Sequence, residues 1–177
     1  MRARFASVLC ASLAALSFCA AQPAQSQPAS LEQQVKASYL YNFMQFVVWP
    51  EDAFNSDSKF NLCAVAGEEY NATLNALAAE NIDGHEISVH RFDQFAQSTG
   101  VHCHMLFITR DKYSSAPKDL SGERGVLTIG DAPGFLERGG IINLVEVRGK
   151  IRFEINQQAA QQAGLTMSSK LLDLAMR

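Results

Sequence analysis

From Leu31 onward the chain alternates between two apolar spacings. Leu31, Val35, Tyr39, Phe43, Phe46 and Val47 follow at four, four, four, three and one residues, which draws one face of a helix. Leu40, Met44 and Val48 widen that face. Ser30 stands where an N-cap belongs. Trp49-Pro50 sets the expected end, because the residue before a proline is pushed out of the helical region. The face is more apolar than one packed side needs, so it serves either the domain's own core or a second subunit.

Short apolar runs then read as strands: Phe60 to Ala66, Met105 to Thr109, Val126 to Ile129, Ile141 to Val147 and Ile151 to Ile155. His85 to Phe92 alternates apolar and polar positions and reads as another. Tyr70 to Glu80 has helical spacing through Leu74, Leu77 and Ala78, and Asn81-Ile82-Asp83-Gly84 reads as a turn. A short helix is expected after Gly134, and Arg148-Gly149 is a hairpin-like turn. Gln157 to Ala163 is a short helix stopped by Gly164; Thr166 or Ser168 caps a last one, Lys170 to Met176. Strands alternating with helices point to one compact α/β domain over residues 27–177. Its central sheet is expected to be mostly parallel, made mixed by the final hairpin, with helices on both faces.

The segment before this pattern changes the setting. Arg2 and Arg4 precede an uncharged run from Phe5 to Ala21, and small residues follow at Cys19-x-Ala21 and Ala24-x-Ser26. Residues 1–26 therefore read as an export signal and lead-in, cut near 21 or 26. An uncleaved anchor and a lipoprotein signal are the alternatives; Phe18 is a poor fit before a lipobox cysteine. Gln22 to Ser30 is a polar, Pro- and Gln-containing lead-in. The whole chain has 15 Lys and Arg against 18 Asp and Glu; losing Arg2 and Arg4 leaves 13 against 18, a net charge of −5. A mildly acidic chain without a basic stripe argues against nucleic-acid binding. The expected location is the periplasm.

Export also bears on the cysteines. Cys10 and Cys19 leave with the signal, and Cys63 and Cys103 remain. An even number in an oxidising compartment reads as one disulfide; the alternative is two buried, reduced thiols.

No catalytic set emerges. His102-Cys103-His104 looks like a metal cluster, but two histidines on one strand face fall short of a zinc site unless His85 or His90 joins them. Cys103 beside a histidine could be a nucleophile, yet a second exported cysteine favours pairing. Ser168, Ser169 and Lys170 could form a Ser-Lys pair, but they sit where a helix is capped. Gly130-Asp131-Ala132-Pro133-Gly134 follows a strand and matches neither a P-loop nor a dinucleotide fingerprint. Neither a metal nor a cofactor is expected.

Four stretches resemble the YfiR-like family of bacterial periplasmic proteins: Val35–Phe43 running on to Phe46–Pro50, Phe60–Val65, Cys103–Ile108, and Arg152–Asn156 followed by Gly164–Ala175. The resemblance implies a compact, commonly dimeric α/β protein without enzymatic activity. It implies repression of an inner-membrane diguanylate cyclase through that enzyme's periplasmic sensor region, which lowers cyclic di-GMP and biofilm formation. An outer-membrane OmpA-like lipoprotein would sequester the repressor. The chain departs from well-known relatives in lacking a second cysteine pair in its C-terminal half. Conspicuous charges beside apolar residues place the expected partner surface at Arg148, Arg152, Glu154, Leu165 and Lys170. The alternative reading of the expected contact at Phe153, Ile155 and Leu171 is ordinary core. A small-molecule sensor domain is the rival function.

Overall fold

The computed structural model describes residues 29–54, 59–122 and 124–176. The expected export signal lies outside them.

Helix α1 (Leu31–Phe46) starts as the sequence predicts. The Ser30 hydroxyl accepts from the Gln33 N–H at 3.2 Å while Ser30 N–H donates to Gln33 Oε1 at 2.7 Å, a reciprocal cap. The helix stops three residues earlier than expected. Val47–Val48 peel away as β1 and pair antiparallel with β9 (Thr166–Met167). Two β-branched residues before a proline leave the helix readily, but the strand partner lies over a hundred residues on and no local pattern announces it.

Seven further strands form one sheet: β2 (Lys59–Val65), β3 (Asn81–Ile82), β4 (His85–Phe92), β5 (Met105–Ile108), β6 (Leu127–Gly130), β7 (Ile142–Val147) and β8 (Lys150–Ile155). Their spatial order is β3-β4-β2-β5-β6-β7-β8. The five central strands are parallel; β3 and β8 are antiparallel edges. The sheet is thus mixed and mostly parallel, as read from the sequence. Asn81-Ile82, expected inside a turn, is strand, and Ile82 is buried. The turn is only Asp83-Gly84, with φ of +49° and +87°, the geometry of a two-residue hairpin.

Alternation along each central strand feeds two clusters. Phe60, Leu62 and Ala64 of β2 with Met105 and Phe107 of β5 face the larger one. Leu40, Phe43 and Met44 of α1 close it, joined by α2 (Asn71–Leu77), α3 (Gln157–Gln162) and α4 (Ser169–Leu174). Tyr39, Phe43 and Phe153 meet edge-on or stacked with ring centres 5.1–5.8 Å apart. Cys63, Val65, Leu106 and Ile108 face the smaller cluster. There the cover is 3₁₀ turns, at Phe95–Ser98 and Tyr113–Ser115, together with loops. Residues 132–139, expected to hold a short helix, are turns wound around the buried Phe135. A Cβ on Gly130 or on Gly140 would come within 2.3 Å of that ring, so both positions need glycine.

The predicted face of α1 is rotated. Leu31 is 77% exposed, whereas the buried stripe is Lys36, Leu40, Phe43 and Met44. This stripe enters the molecule's own core. A charged residue inside it disguises the period.

Candidate functional site

In chain order the parallel strands run second, first, third, fourth, fifth across the sheet, so the connections reverse direction between β2 and β5. Such a reversal opens a crevice at the carboxyl ends of the strands. The crevice here holds Lys36, Tyr70, Thr109 and Asp131, all under a tenth exposed. Lys36 Nζ lies 2.5 Å from Asp131 Oδ2 and 2.6 Å from Glu32 Oε1, and donates to the Tyr70 hydroxyl at 3.4 Å. Asp131 Oδ1 accepts from Arg110 N–H at 2.5 Å, and Thr109 Oγ1 donates to Asp111 Oδ1 at 2.6 Å. Three acceptors satisfy the three ammonium hydrogens. The network is closed, and it fastens the start of α1 to the ends of β2, β5 and β6.

Sequence reasoning passed over both partners of this pair. Asp131 reads as a turn residue after a strand. The one available signal is Lys36 itself, four residues before Leu40 and seven before Phe43, on the apolar stripe.

Lys36 and Tyr70 lose their protons late. Burial alone pulls the Lys36 ammonium down, but hydrogen bonds to Asp131 and Glu32 outweigh it and hold its pKa above the ordinary 10.5. Burial pushes the Tyr70 phenol up to about 12. Both groups keep their protons in the folded state at a pH where the unfolded chain releases them. Their stabilisation is therefore complete below about pH 10 and is lost as pH rises above it. Thermal melts between pH 9 and 12 are expected to show a falling melting temperature from about pH 10, with a shallower fall in Tyr70→Phe. A flat profile across that range contradicts the assignment.

Cys63 and Cys103 are bridged, with Cα atoms 5.8 Å apart and a separation of 40 positions in sequence. That removes Cys103 as a nucleophile. His104 is fully buried: its Nδ1 accepts from Asn61 N–H at 2.9 Å and its Nε2 sits 3.0 Å from the Ala53 carbonyl. The second contact requires Nε2–H, so His104 is a neutral structural residue. His102, Cys103 and His104 precede β5 instead of lying on it, and the two histidine rings meet edge-on at 4.9 Å. His85 stacks on Phe54, and His90 lies 3.2 Å from Asn61 Oδ1. Among the described residues no three His, Cys, Asp or Glu side chains are placed to hold a metal ion. Ser168 caps α4 by accepting from the Leu171 N–H, the bland alternative to a Ser-Lys pair.

The expected partner residues separate into two groups. Arg148 is exposed at the tip of the β7–β8 hairpin, and Lys170 is exposed on α4. Arg152 is exposed on β8 and Glu154, two residues on, shares its face and is half-buried. Leu165 is only 2% exposed and belongs to the large core cluster. It supports the surface from behind and cannot be part of it. Phe153 and Leu171 are core as well. The chain's end returns to this place: Met176 N–H donates to Phe153 O at 2.8 Å, beside Glu154. Leu174 at 70% and Met176 at 37% exposure put apolar groups beside these charges.

Among the described residues no helix is long and apolar enough to cross a membrane. Residues 33–176 match the YfiR/HmsC-like family. No curated protein matches the chain. Among solved structures it is similar to a conserved domain protein from Vibrio cholerae, at 16% identity with a TM-score of 0.47. That similarity covers 81% of this chain and 59% of the other, so the chain spans under two thirds of that protein's length.

Proposed function

We propose that this chain, which belongs to the YfiR/HmsC-like family, is a periplasmic repressor of an inner-membrane diguanylate cyclase. Members of the family are known as regulators of such cyclases and not as catalysts. The match across residues 33–176 carries the reading. Export by a cleaved signal at residues 1–26, a mature domain at 27–177, a homodimer and sequestration by an OmpA-like lipoprotein complete it as proposals.

The contact surface is the β7–β8 hairpin and the chain's end. Arg152 faces Val145 across the hairpin, and Lys150 faces Val147. These valines are half-buried, so charges flank apolar ground. Leu174 and Met176 extend it and supply the apolar anchors that dominate most interfaces. Arg148 adds a further sign. Its φ is +52°, followed by +72° at Gly149, in a turn type that prefers Asn, Asp or Gly at both central positions. A strained arginine kept at a hairpin tip points to use of its side chain. The repressor works by binding the cyclase's inactive state more tightly than its active one. Moving the cyclase from almost fully off to almost fully on takes a differential of about 5.5 kcal/mol.

Deleting the gene is expected to raise cyclic di-GMP and biofilm mass, and re-expression to restore both. Arg148→Asn separates the roles of the turn. It is expected to stabilise the fold by up to about 1 kcal/mol by relieving the left-handed arginine. It is also expected to weaken cyclase binding by about tenfold or more. Unchanged cyclic di-GMP after deletion overturns the repressor reading. Full repression by Arg148→Asn moves the surface elsewhere.

A further inference from the structure

We propose that the second face of the sheet carries a binding cavity for a small neutral or cationic molecule with an apolar ring body. This goes beyond the repressor reading, and none of its residues is in the hairpin surface. Parallel sheets are normally covered by helices on both faces. Here the crossovers over the second face, residues 93–104 and 109–126, have only 3₁₀ turns and loops among the described residues. They leave a cavity of about 450 Å³ between them. That volume lies in the range of small-molecule sites, roughly 300–1,000 Å³.

The cavity's construction specifies its occupant. Its floor is Leu106 of β5 and Val126 at the start of β6; its walls are Phe95, Leu120 and the disulfide at Cys103. Leu106, Leu120, Val126 and Cys103 are all under a tenth exposed, so the site is already shaped. The bridge to Cys63 anchors the base of the first crossover. Polar groups lie at the mouth, among them His102 and Asp119. Asp119 accepts from Ser121 N–H at 2.9 Å, and the Ser121 hydroxyl and N–H hold its carboxyl below its ordinary range. Among the described residues lining the cavity none is a lysine or an arginine. An apolar ring with a neutral or ammonium head fits this arrangement; a carboxylate head meets the Asp119 charge inside a lining without lysine or arginine, since Lys118 and Arg138 line the adjoining groove on the other side of Asp119.

Three naphthalene derivatives differing only in the head test this: 2-naphthylmethanol, 2-naphthylmethylamine and 2-naphthoate, titrated against the mature protein by fluorescence and calorimetry. The alcohol and the amine are expected to bind saturably and one-to-one, and the carboxylate at least tenfold more weakly. Asp119→Asn is expected to shrink the difference between amine and carboxylate severalfold. Val101→Trp, at a half-buried lining position, is expected to fill the site and abolish binding with an unchanged circular-dichroism spectrum. If Val101→Trp fails to fold, Thr99→Trp, at an exposed lining position with extended backbone, replaces it. Absence of saturable binding of all three at millimolar concentration overturns the proposal. So does binding retained in the filled variant, or no preference among heads. Repression of the cyclase is a separate readout, so failure here leaves the repressor reading intact.

Discussion

Lys36→Met is expected to destabilise the protein by about 3–5 kcal/mol, near the full stability of a marginal domain. Methionine keeps most of the stem volume and removes the charge. Asp131 is 5% exposed and its carboxylate then loses its ion-pair partner, since Arg110 Nε donates to the Asp131 backbone carbonyl, at 3.1 Å; Glu32 at the surface is hardly affected. The cost comes from stranding a buried carboxylate, since an intact buried pair contributes little net stability. A second substitution isolates that cause. Asp131→Asn added to Lys36→Met removes the buried charge yet keeps an oxygen to accept the Arg110 N–H. The double variant is therefore expected to be more stable than Lys36→Met alone, by more than about 1 kcal/mol. Urea melts of the four proteins in this cycle decide the matter. If the double variant is the weakest, the pair is held together by something other than charge compensation.

The second large effect belongs to the disulfide. In the chain-entropy account a bridge over 40 residues constrains the unfolded chain by about 4 kcal/mol. Cys63→Ser, Cys103→Ser and the double variant are expected to lose nearly the same stability, because all three delete one bond. For a chain of this size that is a drop of roughly 8–16 °C in melting temperature. Wild-type protein reduced in denaturant and refolded with reductant is expected to melt with the variants. Strictly additive losses in the double variant, or two free thiols in unfolded, unreduced protein, contradict the bridge. The same variants bear on the cavity, since Cys103 is part of its wall.

These two features differ in how visible they are along the chain. The disulfide is readable once export is expected, because a leader ending near residue 21 or 26 would hold two of the four cysteines and leave a pair. The ion pair is not, because its partners are 95 residues apart and each is locally ordinary. Lys36 sits in a helix whose apolar neighbours suggested a stripe one residue away. The histidines show the converse. Their spacing invited a metal, and burial gave His104 two backbone partners instead. In the expected partner surface, Leu165 lies five residues before the exposed Lys170 in sequence and inside the core in space.

Apart from β1, β3, β9 and the turns at residues 132–139, the sequence by itself determined which segments are helix and strand, where α1 begins, that the sheet is mixed, and, once export is assumed, which cysteines pair. Those properties follow from short-range causes: side-chain period, capping hydroxyls, and the small number of thiols. Only the tertiary structure decided the strand order, the β1–β9 pairing, the Lys36–Asp131 contact, and the cavity under the two crossovers. Each of these joins residues far apart in the chain. The free energy that selects such contacts comes from burial and charge compensation, which exist only after the chain has closed on itself.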